Sequence, residues 1–361
     1  MNRAALALSV LGAATGCQAL TGADEFTVYQ GLCTVCPDGT DLKHPPCPRP
    51  SNATETGERF VYAARRVRFG KPGNFENFDI GYDLDCSSRP AAGHPAACKA
   101  RTSDDTADDR PWIALPRGID NTLATRIFGP LYEIAAQTGQ DIDIDKQYSE
   151  QQERGELGIV VLVDDWNGTP SDPSVSVTTF LSPGVSPDNG LPRWDGTDRW
   201  DRYADLPGNE TRYFNLEQGT GYVAEGQLVV DYRDRGTVSL RFGSPKLSFR
   251  ISVRELFFAG AIDAGGLHNF SMTAIAELTT AYEDIDDLAQ VLAGCNAGGE
   301  AFLKARLPSL LLSAADMPLD RRTADPTIAC DGISLAWSFD SVRAQLGGSQ
   351  DPEAPPDGGC L

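Results

Sequence analysis

The sequence predicts a mainly β protein, an antiparallel β-sandwich with a few peripheral helices. In several short runs, apolar side chains alternate with polar ones, as expected of strands that bury one face. The connections between these runs, such as residues 233–236 and 243–246, are too short for a helical crossover, so neighbouring strands should be antiparallel. Helical spacing of apolar residues occurs in only a few segments.

The first residues predict an export signal. Arg3 is followed by apolar or small residues at 4–14, which is the length of a signal-peptide core and too short to span a bilayer. The next residues, Ala14-Thr15-Gly16-Cys17, resemble a lipobox. We therefore predict a lipoprotein signal peptide at 1–16 and a lipid (palmitate among its acyl chains) on Cys17.

The lipobox resemblance also implies an address. Gln18, which stands where an aspartate would retain the protein, implies sorting to the outer membrane, so the membrane is an expected partner through the lipid. The alternative is ordinary cleavage near Ala19, which would leave a secreted or periplasmic protein.

Composition disfavours two classes of protein, nucleic-acid-binding proteins and disordered acidic chains. The formal net charge of −20 and the pI near 4.5 disfavour binding to nucleic acid. The hydrophobic fraction of 41% disfavours a disordered acidic chain, because enough apolar surface is present to build a core.

The cysteines after Cys17 are even in number, which in an oxidising compartment predicts a disulfide set. They are Cys33, Cys36, Cys47, Cys86, Cys98, Cys295, Cys330 and Cys360. Proximity favours the pairs Cys86–Cys98 and Cys295–Cys330, with the other four pairing among themselves. A zinc site formed by Cys33, Cys36 and Cys47 with His44 is an alternative for that group.

The predicted elements follow in chain order. Residues 17–58 are rich in Pro and Cys and form a tether, after which the β-domain extends over 59–346 and a flexible tail over 347–361. The first strand is predicted at 59–69, and a helix that Gly129-Pro130 breaks or kinks is predicted from Asp120. Further strands are predicted at 157–163, 175–180, 222–232, 237–242, 247–262, 267–275 and 333–339, and further helices at 284–292 and 300–313.

A group of aspartates suggests calcium. Asp83 and Asp85 lie on one side of an extended segment, and Asp120 and Asn121 supply oxygens at a turn. Calcium takes six to eight oxygen ligands from loops of this kind, so these residues are candidate ligands and calcium is the candidate cofactor. The alternative is that Asp120 caps the helix and the other side chains are solvated.

A loop with two tryptophans suggests ligand binding. Residues 193–203 place Trp194, Asp195, Trp200 and Asp201 close together, and exposed indole rings beside charged groups are typical of glycan sites. The alternative is that both rings fold inward and anchor the loop.

Motifs for nucleophilic or metal-dependent hydrolysis are absent from the sequence, and only His44, His94 and His268 are available as histidine bases. A glycoside hydrolase acting through two carboxylates is the enzymatic alternative, because such residues need no fixed spacing.

Several short motifs together with the lipobox resemble a group of uncharacterised Cys- and Asp-rich outer-membrane lipoproteins of Gram-negative bacteria. These motifs are Asp83-Leu84-Asp85-Cys86, Gly118-Ile119-Asp120-Asn121, Trp194-Asp195-Gly196-Thr197-Asp198 and Cys330-Asp331-Gly332-Ile333-Ser334-Leu335. The resemblance implies an address and no activity. We therefore predict a non-enzymatic envelope lipoprotein with a binding or structural role, in which calcium-supported glycan binding is the specific hypothesis and a glycan or an envelope protein is the expected partner.

Overall fold

The fold is described from a computed structural model, which covers residues 45–48, 57–70, 80–84, 98–99, 101, 119–138, 144–156, 158–203, 215–233, 236–243, 248–283, 285–292, 297–319, 325 and 327–350. The strands are β1 (Glu58–Arg68), β2 (Gly158–Trp166), β3 (Asp172–Ser182), β4 (Arg199–Tyr203), β5 (Asn215–Ala224), β6 (Gln227–Asp231), β7 (Val238–Gly243), β8 (Ser248–Ile262), β9 (Leu267–Glu277), β10 (Gly332–Arg343) and β11 (Gln345–Gln350). The helices are α1 (Gly129–Thr138), which continues a π-helical segment (Leu123–Phe128), α2 (Ile144–Glu153), α3 (Leu278–Glu283), α4 (Ile285–Leu292) and α5 (Ala297–Ala314).

Eight strands form a closed antiparallel barrel. The order is β6-β5-β3-β2-β1-β10-β9-β8, and pairing of β6 with β8 closes the ring, while β7 adds a ninth strand at the edge of β8. The predicted β-sandwich is therefore wrong, although the predicted mainly β class and the antiparallel pairing are confirmed.

The physical reason for the barrel lies in β8. This strand has 15 residues, and its two halves have different partners, β7 over Ser248–Val253 and β6 over Phe257–Ala261. Register shifts within β1, β3 and β8 also bend these strands, and bulges of this kind provide the curvature that a closed sheet needs. Alternation of apolar residues is the same in a sandwich and in a barrel, so the sequence pattern did not distinguish them.

Aromatic side chains fill the barrel. Tyr232, Phe258, Phe270 and Phe339 are all buried and form a chain of ring contacts with centroid separations of 5.9, 5.6 and 5.5 Å. The Tyr232 hydroxyl donates a hydrogen bond to the carbonyl oxygen of Val177 on β3, 3.2 Å away. The interior is thus a packed core.

Two smaller apolar clusters cover parts of the outer wall. Tyr82, Leu84 and Met317 pack on the outward side chains of β5, β6, β8 and β9. Trp200 on β4 and Leu346 beside it on β11 pack on the outward side chains of β1, β2 and β3. In these regions the strands bury both faces, which explains the nearly continuous apolar run in β2.

The helices pack against one end of the barrel. Phe69, at the end of β1, contacts Phe128 and Tyr148 with ring centroids 6.0 and 5.3 Å away. Leu303, Leu307 and Leu311 of α5 belong to the same core. Within the described residues, no helix has the length and apolarity needed to cross a membrane.

Gly219 on β5 makes room for Tyr232. A Cβ atom at this position would lie 2.5 Å from Cζ of the Tyr232 ring. We expect Gly219→Ala to lower the free energy of unfolding by about 1–3 kcal/mol, because the ring must move within a packed core. Urea denaturation would measure the loss. Gly348→Ala is the matched control, since the nearest atom to its added Cβ is 3.8 Å away. Equal unfolding midpoints for the two variants would contradict this view of the barrel interior.

Candidate functional site

The loop with two tryptophans lies on the outer wall of the barrel. It leads into β4, which pairs in parallel with β11, and this two-stranded sheet covers β1, β2 and β3. Trp200 is fully buried on that wall, and an added Cβ at Gly158 of β2 would lie 2.5 Å from its ring. Trp200 is therefore an anchor of the loop.

Trp194 lies above Trp200 and is partly exposed. The two ring centroids are 5.4 Å apart and the ring planes are tilted by 42°. The backbone of Trp194 has φ 58°, in the left-handed region that bulky residues rarely adopt. Such a conformation costs of order 1–3 kcal/mol, and strained residues of this kind cluster at functional sites.

Asp198 holds Trp194 in that conformation. Its buried carboxylate accepts hydrogen bonds from the backbone N–H groups of Arg193, at 2.9 and 3.0 Å, and of Trp194, at 2.6 Å. The carbonyl oxygen of Asp198 accepts the N–H of Gln345 at 2.9 Å, which fastens the loop to β11. These bonds offset the backbone strain.

The two other predicted ligand-binding residues have different environments. Asp201 is buried, and its carboxylate accepts hydrogen bonds from the Ser186 hydroxyl, the Gly348 N–H at 2.7 Å and the Gln350 side chain. Asp195 is exposed and accepts the N–H of Thr197 at 3.0 Å and its hydroxyl at 2.6 Å. Those bonds from Thr197 lower the pKa of Asp195, so it is a carboxylate at neutral pH. Only Trp194 and Asp195 of the predicted set therefore face solvent.

Arg65, which is outside the predicted set, lies beside Trp194. The guanidinium of Arg65, on the exposed side of β1, lies 5.6 Å from the Trp194 ring centroid, a cation–π distance. The backbone of Gly196 lies near Arg343, since a Cβ added at Gly196 would be 3.6 Å from the Arg343 Cβ. The Arg343 guanidinium itself lies over the Phe60 ring, 4.1 Å from the centroid, on the face of β1 that is turned away from Trp194. We call Arg65, Arg193, Trp194 and Asp195 the wall site.

The predicted calcium ligands have structural hydrogen bonds. Asp120 Oδ2 accepts the N–H of Leu84 at 2.5 Å. Asn121 Oδ1 accepts the N–H groups of Ala336 at 3.0 Å and Ala124 at 3.4 Å, and its Nδ2 donates to the Ala336 carbonyl at 3.0 Å. Asp83 is buried beside them, and Asp85 lies outside the described residues.

The hydrogen bonds of Asp120 and Asn121 join the segment at 80–84 to the start of the π-helical segment and to β10. In the described part of the chain no three His, Cys, Asp or Glu side chains are grouped as metal ligands. Calcium binding by the aspartates stays a prediction.

One disulfide corrects the predicted pairing. Cys98 is bonded to Cys330, with Cα atoms 5.2 Å apart and a sequence separation of 232 residues. The pairs Cys86–Cys98 and Cys295–Cys330 are therefore wrong, because proximity in sequence does not decide which cysteines the fold brings together. A backbone bridge between Lys99 and Ala329 places the two half-cystines side by side.

Cys47, another of the predicted disulfide cysteines, is also disulfide-bonded. The predicted lipidation site Cys17 and the predicted disulfide cysteines Cys33, Cys36, Cys86, Cys295 and Cys360 lie outside the described residues.

A buried polar cluster near this disulfide was not predicted. Asp316 Oδ1 accepts the N–H of Ser334 at 2.8 Å, and Oδ2 accepts the hydroxyls of Ser334 at 2.6 Å and of Thr122. Burial raises the pKa of Asp316 to about 6, against the opposing effect of these bonds and of the nearby charge on Arg126. The cluster links the end of α5, the start of the π-helical segment and β10, and no local sequence pattern signals such a contact.

Comparisons with protein-family models, with curated proteins and with solved structures found no match to this chain.

Proposed function

We propose that this chain is an exported, lipid-anchored protein of the outer membrane that binds a glycan at the wall site and does not turn it over. The observation that carries the proposal is Trp194, a partly exposed indole held in a left-handed backbone conformation by the buried carboxylate of Asp198. A strained aromatic residue on a rigid support is typical of a binding surface.

The disulfide supports the address. Cys98 and Cys330 are both buried, and a structural disulfide of this kind persists in an oxidising compartment such as the periplasm or the cell surface. The signal peptide and lipobox predicted at the N-terminus agree with that compartment.

The wall site fits binding to a sugar. An indole ring offers an apolar face or edge to a pyranose, and guanidinium groups donate to ring and hydroxyl oxygens. The site lies on an outer wall and the barrel interior is filled, so the ligand would be held at a surface that a long polysaccharide can cross.

The anchor can be tested on the full chain in a Gram-negative host. We expect metabolic labelling with an alkyne fatty acid to mark the protein and outer-membrane fractions to contain it, because acylation at Cys17 would provide the only attachment that we propose. Cys17→Ala should lose the label and leave the outer-membrane fraction. An unlabelled wild-type protein in the soluble periplasm or the medium would contradict the anchor.

Glycan binding can be tested by Trp194→Ala. We expect the affinity for a glycan selected from an array to fall by about tenfold or more, as for the loss of a central aromatic contact. Trp194→Phe should lose less, because it keeps an aromatic ring over Trp200. Leu191→Ala is the matched control, since Leu191 lies just before this loop with 72% of its surface exposed.

Two results would contradict the proposal. One is an array on which the wild-type protein binds nothing, and the other is an unchanged affinity in Trp194→Ala. Release of reducing sugar from the bound polysaccharide would instead favour the alternative of a glycoside hydrolase. Thermal melts of each variant show whether the fold is retained.

A further inference from the structure

Charge at the wall site indicates which glycans it binds. The chain has 51 acidic and only 31 basic residues, so most arginines are expected to have a carboxylate partner. Around the wall, Arg59 pairs with Asp164 and Arg199 pairs with Asp188. Among the described residues, no carboxylate lies within ion-pair distance of Arg65 or Arg193.

Arg65 of the wall site is held by a different kind of contact. It lies over Trp194, so its guanidinium is positioned by a ring and keeps donors that no carboxylate occupies. Arg193 follows directly before Trp194 and is exposed. Positioned guanidinium groups with free donors are suited to carboxylates, sulfates and phosphates.

Two carboxylates oppose this positive charge. Asp198 is buried under the loop, where backbone N–H groups satisfy it. Asp195 is exposed, and its bonds to Thr197 direct one oxygen into the loop. At the solvent side of the wall site two guanidinium groups therefore face one exposed carboxylate, so this surface is less acidic than the protein as a whole, whose formal charge is −20.

We infer that the ligand of the wall site is an anionic glycan, a polysaccharide that carries carboxylate, sulfate or phosphate groups. The inference rests on the proposed glycan-binding function. Trp194 would contact a sugar ring, while Arg65 and Arg193 would pair with acidic groups along the chain of sugars.

The test compares polymers that differ in charge. Dextran and dextran sulfate share one backbone, and polygalacturonate supplies carboxylates in place of sulfates. We expect the wild-type protein to bind dextran sulfate or polygalacturonate at least about tenfold more tightly than dextran, and to lose affinity as salt rises from about 0.05 to about 0.3 M. Preference for one of the two anionic polymers identifies the acidic group.

Variants then locate the charge. Arg65→Gln/Arg193→Gln should weaken binding of the anionic polymer by about tenfold, because two charge-assisted contacts are lost. Arg306→Gln is the control for net charge, since Arg306 is exposed on α5 and has no carboxylate partner in the described chain. Asp195→Asn should strengthen binding of an anionic glycan, whereas it would weaken a neutral sugar held through its hydroxyls.

The outcomes separate the two proposals. Equal binding of dextran and dextran sulfate, unaffected by the arginine variants, overturns the anionic ligand and leaves glycan binding intact. An equal loss in Arg306→Gln and in Arg65→Gln/Arg193→Gln also overturns it, because the attraction is then due to net charge alone. Failure of every polymer and of the array to bind refutes the proposed function, and the inference with it.

Discussion

Replacing both half-cystines of the Cys98–Cys330 disulfide by alanine is expected to lower the free energy of unfolding by about 3–5 kcal/mol. The bond closes a loop with a sequence separation of 232 residues, and a crosslink restricts the unfolded chain more when its loop is longer. This loss of stability is near the upper end of those measured for disulfides. It becomes smaller to the extent that the disulfide of Cys47 already restricts the same unfolded chain. Alanine is preferred to serine as the replacement, because both cysteines are buried and a serine hydroxyl there would lack a hydrogen-bond partner.

Guanidinium denaturation under oxidising conditions measures this loss. Lys99→Ala is the matched control, because it changes the neighbouring side chain and retains the disulfide. The backbone bonds from the Lys99 N–H to Ile328 and from the Cys330 N–H to Lys99, at 2.6 and 2.9 Å, are retained as well. An unfolding midpoint shared by the double alanine variant and Lys99→Ala would show that the disulfide does not contribute to stability.

The same disulfide shows which features the sequence alone does not predict. An even set of cysteines after a signal peptide predicts that disulfides form, because the compartment decides their redox state. Pairing depends on tertiary structure. Cys98 bonds to Cys330 because residues 98–99 lie beside the residues that lead into β10. The sequence around either cysteine does not indicate that they are neighbours.

Most barrel strands were predictable because their side-chain pattern is local. The sequence predicted strands at 157–163 and 247–262, and the structure has β2 and β8 there. A helix from Asp120 was also predicted, and the chain forms the π-helical segment and α1 in that region. Closure of the sheet was not predictable in this way, because it depends on which strand pairs with the second half of β8.

Elements of the outer layer were missed for a related reason. β11 (Gln345–Gln350) contains two glycines and is exposed along much of its length, so it reads as part of a flexible tail. It becomes a strand because β4 supplies hydrogen bonds and the packing of Trp200 and Leu346 fixes the pair on the barrel. α2 (Ile144–Glu153) is polar along most of its length and gave no clear helical pattern.

The candidate site was also predictable only in part. The sequence indicated that the loop with Trp194 and Trp200 is functionally important, and the structure brings the two rings into contact. Two features were not predictable. Trp200 is buried, and Arg65 comes to Trp194 from a strand more than a hundred residues earlier in the chain. Sequence reasoning finds residue types that suit a ligand, whereas the set that surrounds it is decided by the sheet.

Asp316 supports a prediction about pH. Its pKa in the folded protein is about 6, raised by burial from an ordinary value of 3.8, so the folded state binds this proton more tightly than the unfolded state does. The stabilising contribution of Asp316 is therefore complete below about pH 4 and is lost as the pH rises through about 6. We expect the loss to be about 2–3 kcal/mol, since each pKa unit corresponds to about 1.4 kcal/mol.

Asp316→Asn isolates this effect from the titration of the other carboxylates. The amide of asparagine stays neutral, so the difference in unfolding free energy between the wild-type protein and the variant should change by about 2–3 kcal/mol between about pH 4 and about pH 7, in favour of the variant at the higher pH. Asp325→Asn is a control of opposite sign, because bonds from the Thr327 hydroxyl and N–H lower the pKa of the exposed Asp325. Parallel curves for the wild-type protein and Asp316→Asn would mean that the cluster with Ser334 and Thr122 stabilises the charged carboxylate as well as water does. In that case the contact between α5 and β10 would be insensitive to pH.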